Sequence, residues 1–562
     1  MQEALGRAIQ LSSAGRPEAA LEEFDRALDE FGPCIELLYN RGVTFQRLGR
    51  HQEAILSFSQ VTEATVRSAP VHFGMGVSYQ ALGDARKAIR AYDDAVRLFP
   101  GYPEALNNRG IVYQILRQWD EAIDSHRLAV EAEPSFAEAH NSLGAALHSA
   151  GRDEEALVAI DRAIALSPNF REAWNNRGVT LQGLGRYEEA LASFDKALDI
   201  APTVSGLTHR ANCLADLGRL DEADREYSTA LLHDDAYPMA RFNRSLVALQ
   251  RGDFETGWRD YEFRSLTAQG DPIPVNAASS WDGSVVKDKT IYVRSEQGAG
   301  DTIQFMRYLK FVKERCGKVV FECSRDVAPL AACCEGVDEI VVKQDSSHLL
   351  RAPAGSIEVF LLSLPHVFET TVDTIPALSK YISVWSNRRN IWRMRILQSR
   401  EIKPGFRIAI VWAGAASHKN DRARSCRLDD FGPLADIEGV HLYSLQKGRP
   451  AQQLYRSGMG RKVIDLRFGL LDYGDTAAAL ENFDLVVSVD TSVAHLAGAL
   501  GIPVWTVLPT SSDWRWMLDR EDSPWYPTMR LFRQKSAGDW SEVFERVRAG
   551  VIELVKPVDE NR

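Results

Sequence analysis

PEALNNRGIVYQILRQWDEAIDSHRLAVEAEPSF (103–136), AEAHNSLGAALHSAGRDEEALVAIDRAIALSPNF (137–170) and REAWNNRGVTLQGLGRYEEALASFDKALDIAPTV (171–204) are successive copies of one 34-residue unit. The eighth position is Gly in Gly42, Gly76, Gly110, Gly144 and Gly178, and the twentieth is Ala in Ala20, Ala54, Ala88, Ala122, Ala156 and Ala190. Small residues at these places let two helices approach closely. A bulky side chain follows four positions after the Ala, as at Phe24, Phe58, Tyr92 and Phe194. Between the helices stands a Gly-Arg pair (Gly15-Arg16, Gly49-Arg50, Gly151-Arg152, Gly185-Arg186), where the chain must leave the helix through positive φ. Pro100, Pro134, Pro168 and Pro202 close units. The pattern predicts about seven helix–turn–helix units plus a divergent last one near 239–263.

The spacing is the tetratricopeptide signature. Stacked units make a groove lined by the first helices. Asn falls at the sixth position of several of them, as Asn40, Asn108, Asn176 and Asn243, with Asn107, Asn141 and Asn175 one earlier. A primary amide donates and accepts at once, so such a row suits gripping an extended peptide. Bonding within the array is the alternative use.

The remainder changes character. Residues 1–265 read as the array and 266–288 as a Gly/Pro/Ser-containing connector, and from there β-branched runs alternate with helices. The expected fold class is therefore α plus α/β: an all-α superhelix followed by two Rossmann-like lobes, 289–400 and 401–562. Strands are expected at 290–295, 318–323, 406–412, 440–445, 484–490 and 502–508, and a long helix at 539–556 is expected to cross back onto the first lobe.

In the first lobe a turn of Glu296, Gln297, Gly298, Ala299, Gly300 and Asp301 joins a strand to a helix. It is half of a dinucleotide fingerprint, with Glu322 near the ribose position, but Ile303 replaces the third Gly. The loop instead suits close approach of an anionic or hydroxylic substrate, with Asp301 either active there or simply capping the helix. In the second lobe Asp490 ends a buried strand, Thr491 and Ser492 begin a helix, and His495 follows one turn on. Free N–H groups at such a helix start hold phosphate at the carboxyl edge of a parallel sheet; helix capping is the plainer use. Two further loops, 412–425 and 444–448, follow strands on that edge and bring Lys419, Asn420, Arg422, Arg424, Gln446 and Lys447. Trp514, Arg515, Trp516 and Trp525 suit either stacking on a base or ordinary core.

The run EQGAGDTIQFMRY (296–308), WAGAASHKNDRARS (412–425), SLQKG (444–448), SVDTSVAHLAGALG (488–501) and DWRWMLDREDSPWYP (513–527) resembles the bacterial tetratricopeptide-repeat glycosyltransferases. These are related to heptosyltransferases and, in architecture, to O-GlcNAc transferases. The resemblance implies a GT-B fold, a nucleotide-sugar donor as substrate in the second lobe, no cofactor and no metal. It implies Asp301 as the base, with Asp490, Thr491, Ser492 and His495 at the donor phosphates and Lys419 as a phosphate ligand. Ser492 stands where the related motif has Gly. Proteins of this layout are similar to flagellin glycosyltransferases of the FlmG type, so flagellin, modified with a nonulosonic acid, is one protein acceptor that fits. A non-catalytic adaptor with a degenerate transferase domain and a saccharide-acceptor transferase are the rival readings.

The net charge of −11, without basic blocks, excludes a dedicated nucleic-acid binder. Seven Cys without zinc spacing read as reduced thiols. The start, MQEALGRAIQLSSAGR, lacks signal-peptide character, and no run of about 18 apolar residues occurs. A cytoplasmic location without a membrane span is expected, and repeats of this kind often pair as homodimers.

Overall fold

The computed structural model describes residues 1–64, 68–267, 281–343, 352–398, 405–415 and 421–555. Its chain divides into two compact units, Met1–Leu214 and Ala215–Arg562. The sequence reading places the division at 265; the structure instead keeps the last repeat helices with the α/β part.

The described residues begin with sixteen α-helices in eight consecutive pairs, from Gln2–Ser13 to Phe254–Tyr261. The repeat rule has a direct steric cause. A Cβ on Gly42 would lie 2.5 Å from the Phe58 ring, and one on Gly76 would lie 2.5 Å from the Tyr92 ring. Position eight is thus seated against the bulky residue sixteen positions later, and only a hydrogen side chain fits beneath that ring. Ala54, Ala88, Ala122, Ala156 and Ala190 are wholly buried for the same reason. The turn glycines Gly15, Gly49, Gly151 and Gly185 have φ between 70° and 75°. In the 103–136 unit Arg117 takes that place at φ 58°, which costs roughly 1 kcal/mol for a residue with a Cβ. The arginine after the turn bonds the glutamate three residues on, as in Arg152–Glu155 and Arg186–Glu189, on an exposed surface where each pair contributes little.

The second unit contains two parallel sheets. The first has β1 (Val286–Arg294), β2 (Cys316–Cys323), β3 (Glu339–Val342) and β4 (Ile357–Phe360) in the order β3-β2-β1-β4. The second has β5 (Phe406–Val411), β6 (Val440–Ser444), β7 (Val463–Asp465), β8 (Leu485–Val489), β9 (Val504–Leu508) and β10 (Met529–Arg533) in the order β10-β9-β8-β5-β6-β7. Counted within its own lobe, the second sheet runs 3-2-1-4-5-6, the doubly wound order. Its central strands β8 and β9 are buried at every residue, in keeping with sequences that are apolar but for Ser488 and Thr506. The helix expected over 302–317 is shorter and broken: Ala299–Phe305, a 3₁₀ turn, then Leu309–Lys313.

Helix Trp540–Val555 does not cross back to the first lobe as expected. Its Val543, Phe544, Val547 and Val551 join the core of the second lobe, with Phe431 and Phe544 ring centroids 4.6 Å apart. Phe242, Phe254, Trp258 and Tyr261, from the last repeat pair and its end, are buried in one core with Ile303, Phe305, Trp514 and Trp525. Trp258 lies edge-on to Trp514 at 5.3 Å. A buried ion pair strengthens this junction: Arg264 bonds Glu296 at 2.5 Å and the Ser363 hydroxyl at 2.9 Å. All seven cysteines are free thiols. Among the described residues no helix is long and apolar enough to cross a membrane.

Candidate functional site

The carboxyl ends of β1, β5, β6, β8 and β9 release their loops into one cleft of about 820 Å³. Gly298–Asp301 comes from β1, Ala413–Ala415 from β5, Gln446–Pro450 from β6, Asp490–Ser492 from β8 and Pro509–Arg515 from β9. The chain reverses strand order between β5 and β8, so the loops leaving those two strands diverge and open a crevice.

The helix Ser492–Ala499 begins at this crevice. Thr491 takes the cap position with extended backbone, yet makes no side-chain cap; its hydroxyl is 3.0 Å from Ser488 Oγ instead. Capping therefore does not account for the Asp-Thr-Ser sequence, and the helix start faces the cleft without a side chain of its own upon it. Ser492 Oγ is 2.8 Å from the Tyr473 hydroxyl. Asp301 behaves differently. Its Oδ2 accepts the Gly298 N–H at 2.9 Å, which caps the helix start from within, and its Oδ1 pairs with Arg515 Nη2. The two turns touch closely: a Cβ on Gly300 would lie 3.2 Å from His495 Cδ2 and 3.5 Å from Ser492 Cα.

Arg515 organises this end of the cleft. Its Nε donates to Gln304 Oε1 at 2.6 Å and its Nη1 to Asp513 Oδ1 at 2.9 Å, while Nη2 holds Asp301. The guanidinium carbon sits 4.4 Å from the Trp514 ring centroid. Flanking carboxylates keep this buried cation charged. Asp490, with its carboxylate 15% exposed, has a pKa pushed up to about 6 by burial and then by the Asp513 carboxylate. His495 is stacked on Trp516 with ring centroids 5.2 Å apart, and its Nδ1 is 2.9 Å from the Tyr526 hydroxyl. Burial and the nearby Arg515, Arg307 and Arg424 hold it well below the usual imidazole range. It is neutral, so its 3.8 Å approach to Asp490 is no ion pair.

Of the residues singled out in the sequence, Asp301, Gly298, Gly300, Arg424, Gln446, Lys447, Asp490, Thr491, Ser492 and His495 all line the cleft. Lys419 and Asn420 lie outside the described residues. The Gln446 amide is engaged within the protein: Oε1 accepts the Trp412 and Ala413 N–H groups, and Nε2 donates to the Ala413 and Lys447 carbonyls. It braces two loops. Lys447 Nζ donates to the Leu470 carbonyl at 2.8 Å. Glu296 does not reach the cleft; it is buried against Arg264. Gln297, at φ 58°, accepts from the Tyr261 hydroxyl at 3.3 Å. Glu322 is also core, held by Tyr292 at 2.7 Å and Arg294 at 2.6 Å. Trp514, Trp516 and Trp525 are buried, so the core reading of these aromatics holds. In the array Asn40 Nδ2 bonds the Glu36 carbonyl, and Asn176 Nδ2 bonds Asn141 Oδ1 of the preceding repeat at 2.9 Å. Asn243 also has a partner within the protein. Asn40 and Asn176 thus each spend an amide N–H within the array. Sequence reading missed Asp513 and Tyr473, and gave Arg515 only a stacking role; their roles come from long-range contacts that no local motif displays.

Tetratricopeptide repeat models match residues 5–67, 73–132, 116–169 and 170–255. The helical region is a tetratricopeptide-repeat array. Such an array is a protein-interaction scaffold. Protein FlbA of Caulobacter vibrioides is 25% identical over 367 residues, covering 60% of this chain and 60% of that protein. The chain thus spans about 60% of the length of the curated relative it matches. A thermophilic TPR protein of Thermus thermophilus is 28% identical, covering 32% of this chain and 98% of that one, with a TM-score of 0.28. MamA is 26% identical over 28% of this chain and 93% of that one, at a TM-score of 0.27. A tetratricopeptide repeat protein from Parabacteroides merdae is 19% identical over 44% and 98% of the two chains, at 0.38.

Proposed function

We propose that the protein is a glycosyltransferase of GT-B architecture that moves a sugar from a nucleotide sugar to a hydroxyl of a protein recruited by the repeats. The observation that supports this reading is the helix start at Ser492. It carries no side-chain cap at a sheet's switch point, where its N–H groups and positive dipole end suit a diphosphate. Arg424 and Lys447 line the same cleft and supply countercharge. The acceptor O–H gives its proton to Asp301 as its oxygen attacks the anomeric carbon. The bond from that carbon to the diphosphate oxygen breaks with inversion, and the leaving anion stays at the helix start. Asp301 has donors on both oxygens, so it is a weak base until one is drawn off. A bound diphosphate offers Arg515 a competing anion and would free Asp301 for this task. The repeats hold the acceptor away from the reacting atoms and supply selectivity; flagellin is one candidate among proteins that such a scaffold could recruit.

The test combines a thermal-shift panel of nucleotides with intact mass spectrometry of acceptor proteins incubated with the matching nucleotide sugars. The stabilising nucleotide should raise Tm, by about 2.7 kcal/mol of stability at a hundredfold excess over Kd. Asp301→Asn should abolish the sugar-sized mass gain while keeping that rise; transfer at the parent rate by this variant would remove Asp301 from the chemistry. One observation favours a second reading, a non-catalytic scaffold: both Asp301 oxygens have partners within the protein. A cleft that binds no nucleotide would establish it.

A further inference from the structure

Away from the cleft, helix Ser386–Gln398 and the segment 453–471 form a surface of unusual composition. Ile391, Met394, Leu397, Tyr455, Phe468 and Leu471 are all exposed, from 53% at Met394 to 79% at Leu471. Ile391, Met394 and Phe468 border one shallow depression of about 830 Å³. Arg467 then joins Phe468 to Tyr455, its guanidinium 4.5 Å and 5.0 Å from the two ring centroids. A cluster of large apolar side chains of this kind marks an interaction site.

The charge is equally one-sided. The helix carries four arginines and no acidic residue, and the segment 453–471 carries four basic residues against Asp465 alone, on a chain of net charge −11. Arg388, Arg389, Lys462 and Arg467 have acidic partners. Among the described residues Arg393, Arg395 and Arg456 have none. The helix rests on the protein through Trp392 and Ile396, which are 2% and 1% exposed, and turns Ile391, Met394 and Leu397 outward. It therefore lies along the surface and does not project from it.

We propose that this face docks the protein on an anionic lipid bilayer. The apolar side chains stand proud of the surface rather than lining a closed slot, which suits insertion among acyl chains more than the grip of a single helix. Interleaved arginines meet acidic headgroups, the combination that holds an interfacial helix. The rest of the chain is acidic and is repelled, so the face is also oriented toward the bilayer. The same loop reaches the cleft: Leu471 belongs to the cleft wall, and the Leu470 carbonyl holds Lys447. Docking would bring this wall of the cleft to the membrane surface. The inference stands independently of the proposed reaction.

The full chain should float with phosphatidylcholine vesicles containing about 30% phosphatidylglycerol and not with pure phosphatidylcholine. Phe468→Ser combined with Met394→Ser should lower partitioning at least about tenfold. Arg393→Glu, at an exposed position, should lower it about fivefold or more and weaken its salt dependence. Unchanged circular-dichroism melts would show that these surface variants remain folded. No partitioning by the parent, or partitioning that both variants leave unchanged, overturns the proposal and leaves an acidic protein helix as the occupant.

Discussion

Asp490 should destabilise the fold that contains it, and replacing it should show by how much. A carboxyl with pKa 3.8 in the unfolded chain and about 6 in the folded one loses roughly 3 kcal/mol of stability once it must ionise in place. The cause is burial first and the Asp513 charge second, with the Trp516 indole N–H and then Arg515 and Arg424 offsetting part of it. A raised folded pKa contributes stability that is fully present below the unfolded pKa and is lost as pH rises through the folded one. The window therefore runs from about pH 4 to about pH 6. Asp490→Asn keeps the shape and removes the charge. At about pH 8 it should be more stable than the parent by up to roughly 3 kcal/mol, and at about pH 4 by nearly nothing. Urea denaturation followed by tryptophan fluorescence reads this directly, because Trp412, Trp514, Trp516 and Trp525 are buried in the same unit. A variant less stable than the parent at high pH, or a difference that does not change with pH, would refute the reasoning. A charge kept at such a cost is a mark of a functional site.

Two further outcomes are expected. Gly76→Val should destabilise the repeat array by about 1–3 kcal/mol, since its side chain would enter the Tyr92 ring; combining it with Tyr92→Leu should recover part of the loss, and additive effects in a double-mutant cycle would refute the contact. Arg515→Lys loses the planar fork that reaches Gln304, Asp513 and Asp301 from three different nitrogens. For the sugar transfer proposed above, it should lower kcat by roughly a hundredfold with less effect on KM, and an unchanged kcat would remove the positioning role.

The array was legible because its rule is local: position eight of one helix faces position twenty-four of its own unit, and both lie within 34 residues. Six of the ten strands were legible as largely apolar, β-branched runs, while β3, β4, β7 and β10, three to five residues long, gave no such signal. The cleft was legible at strand ends, where Asp490, Thr491 and Gly298 announce turns. What could not be read was partner choice. Glu296 sits two residues from Gly298 yet turns inward to Arg264, and nothing in the local sequence says so. The Gln446 amide looked available for a ligand but braces the backbone of a loop some thirty residues earlier. Arg515 looked like one residue among tryptophans, and its partners Asp301 and Gln304 are more than two hundred residues away. The repeats run close to the expected end, with matching repeat models reaching residue 255, but periodicity reports where repeats end and not what the last helices pack against.

That boundary bears on how such a chain can grow. The upstream repeats are interchangeable in design, and the array can gain or lose whole units there with only repeat-to-repeat surfaces to satisfy. The final pair has no such liberty. Trp258 is committed to Trp514 and Trp525, and Arg264 to Glu296, so a fragment severed at residue 265 would bare an aromatic cluster and strand a buried carboxylate. The last two repeat helices carry the repeat pattern yet share one core with the α/β part, so they belong with the cleft.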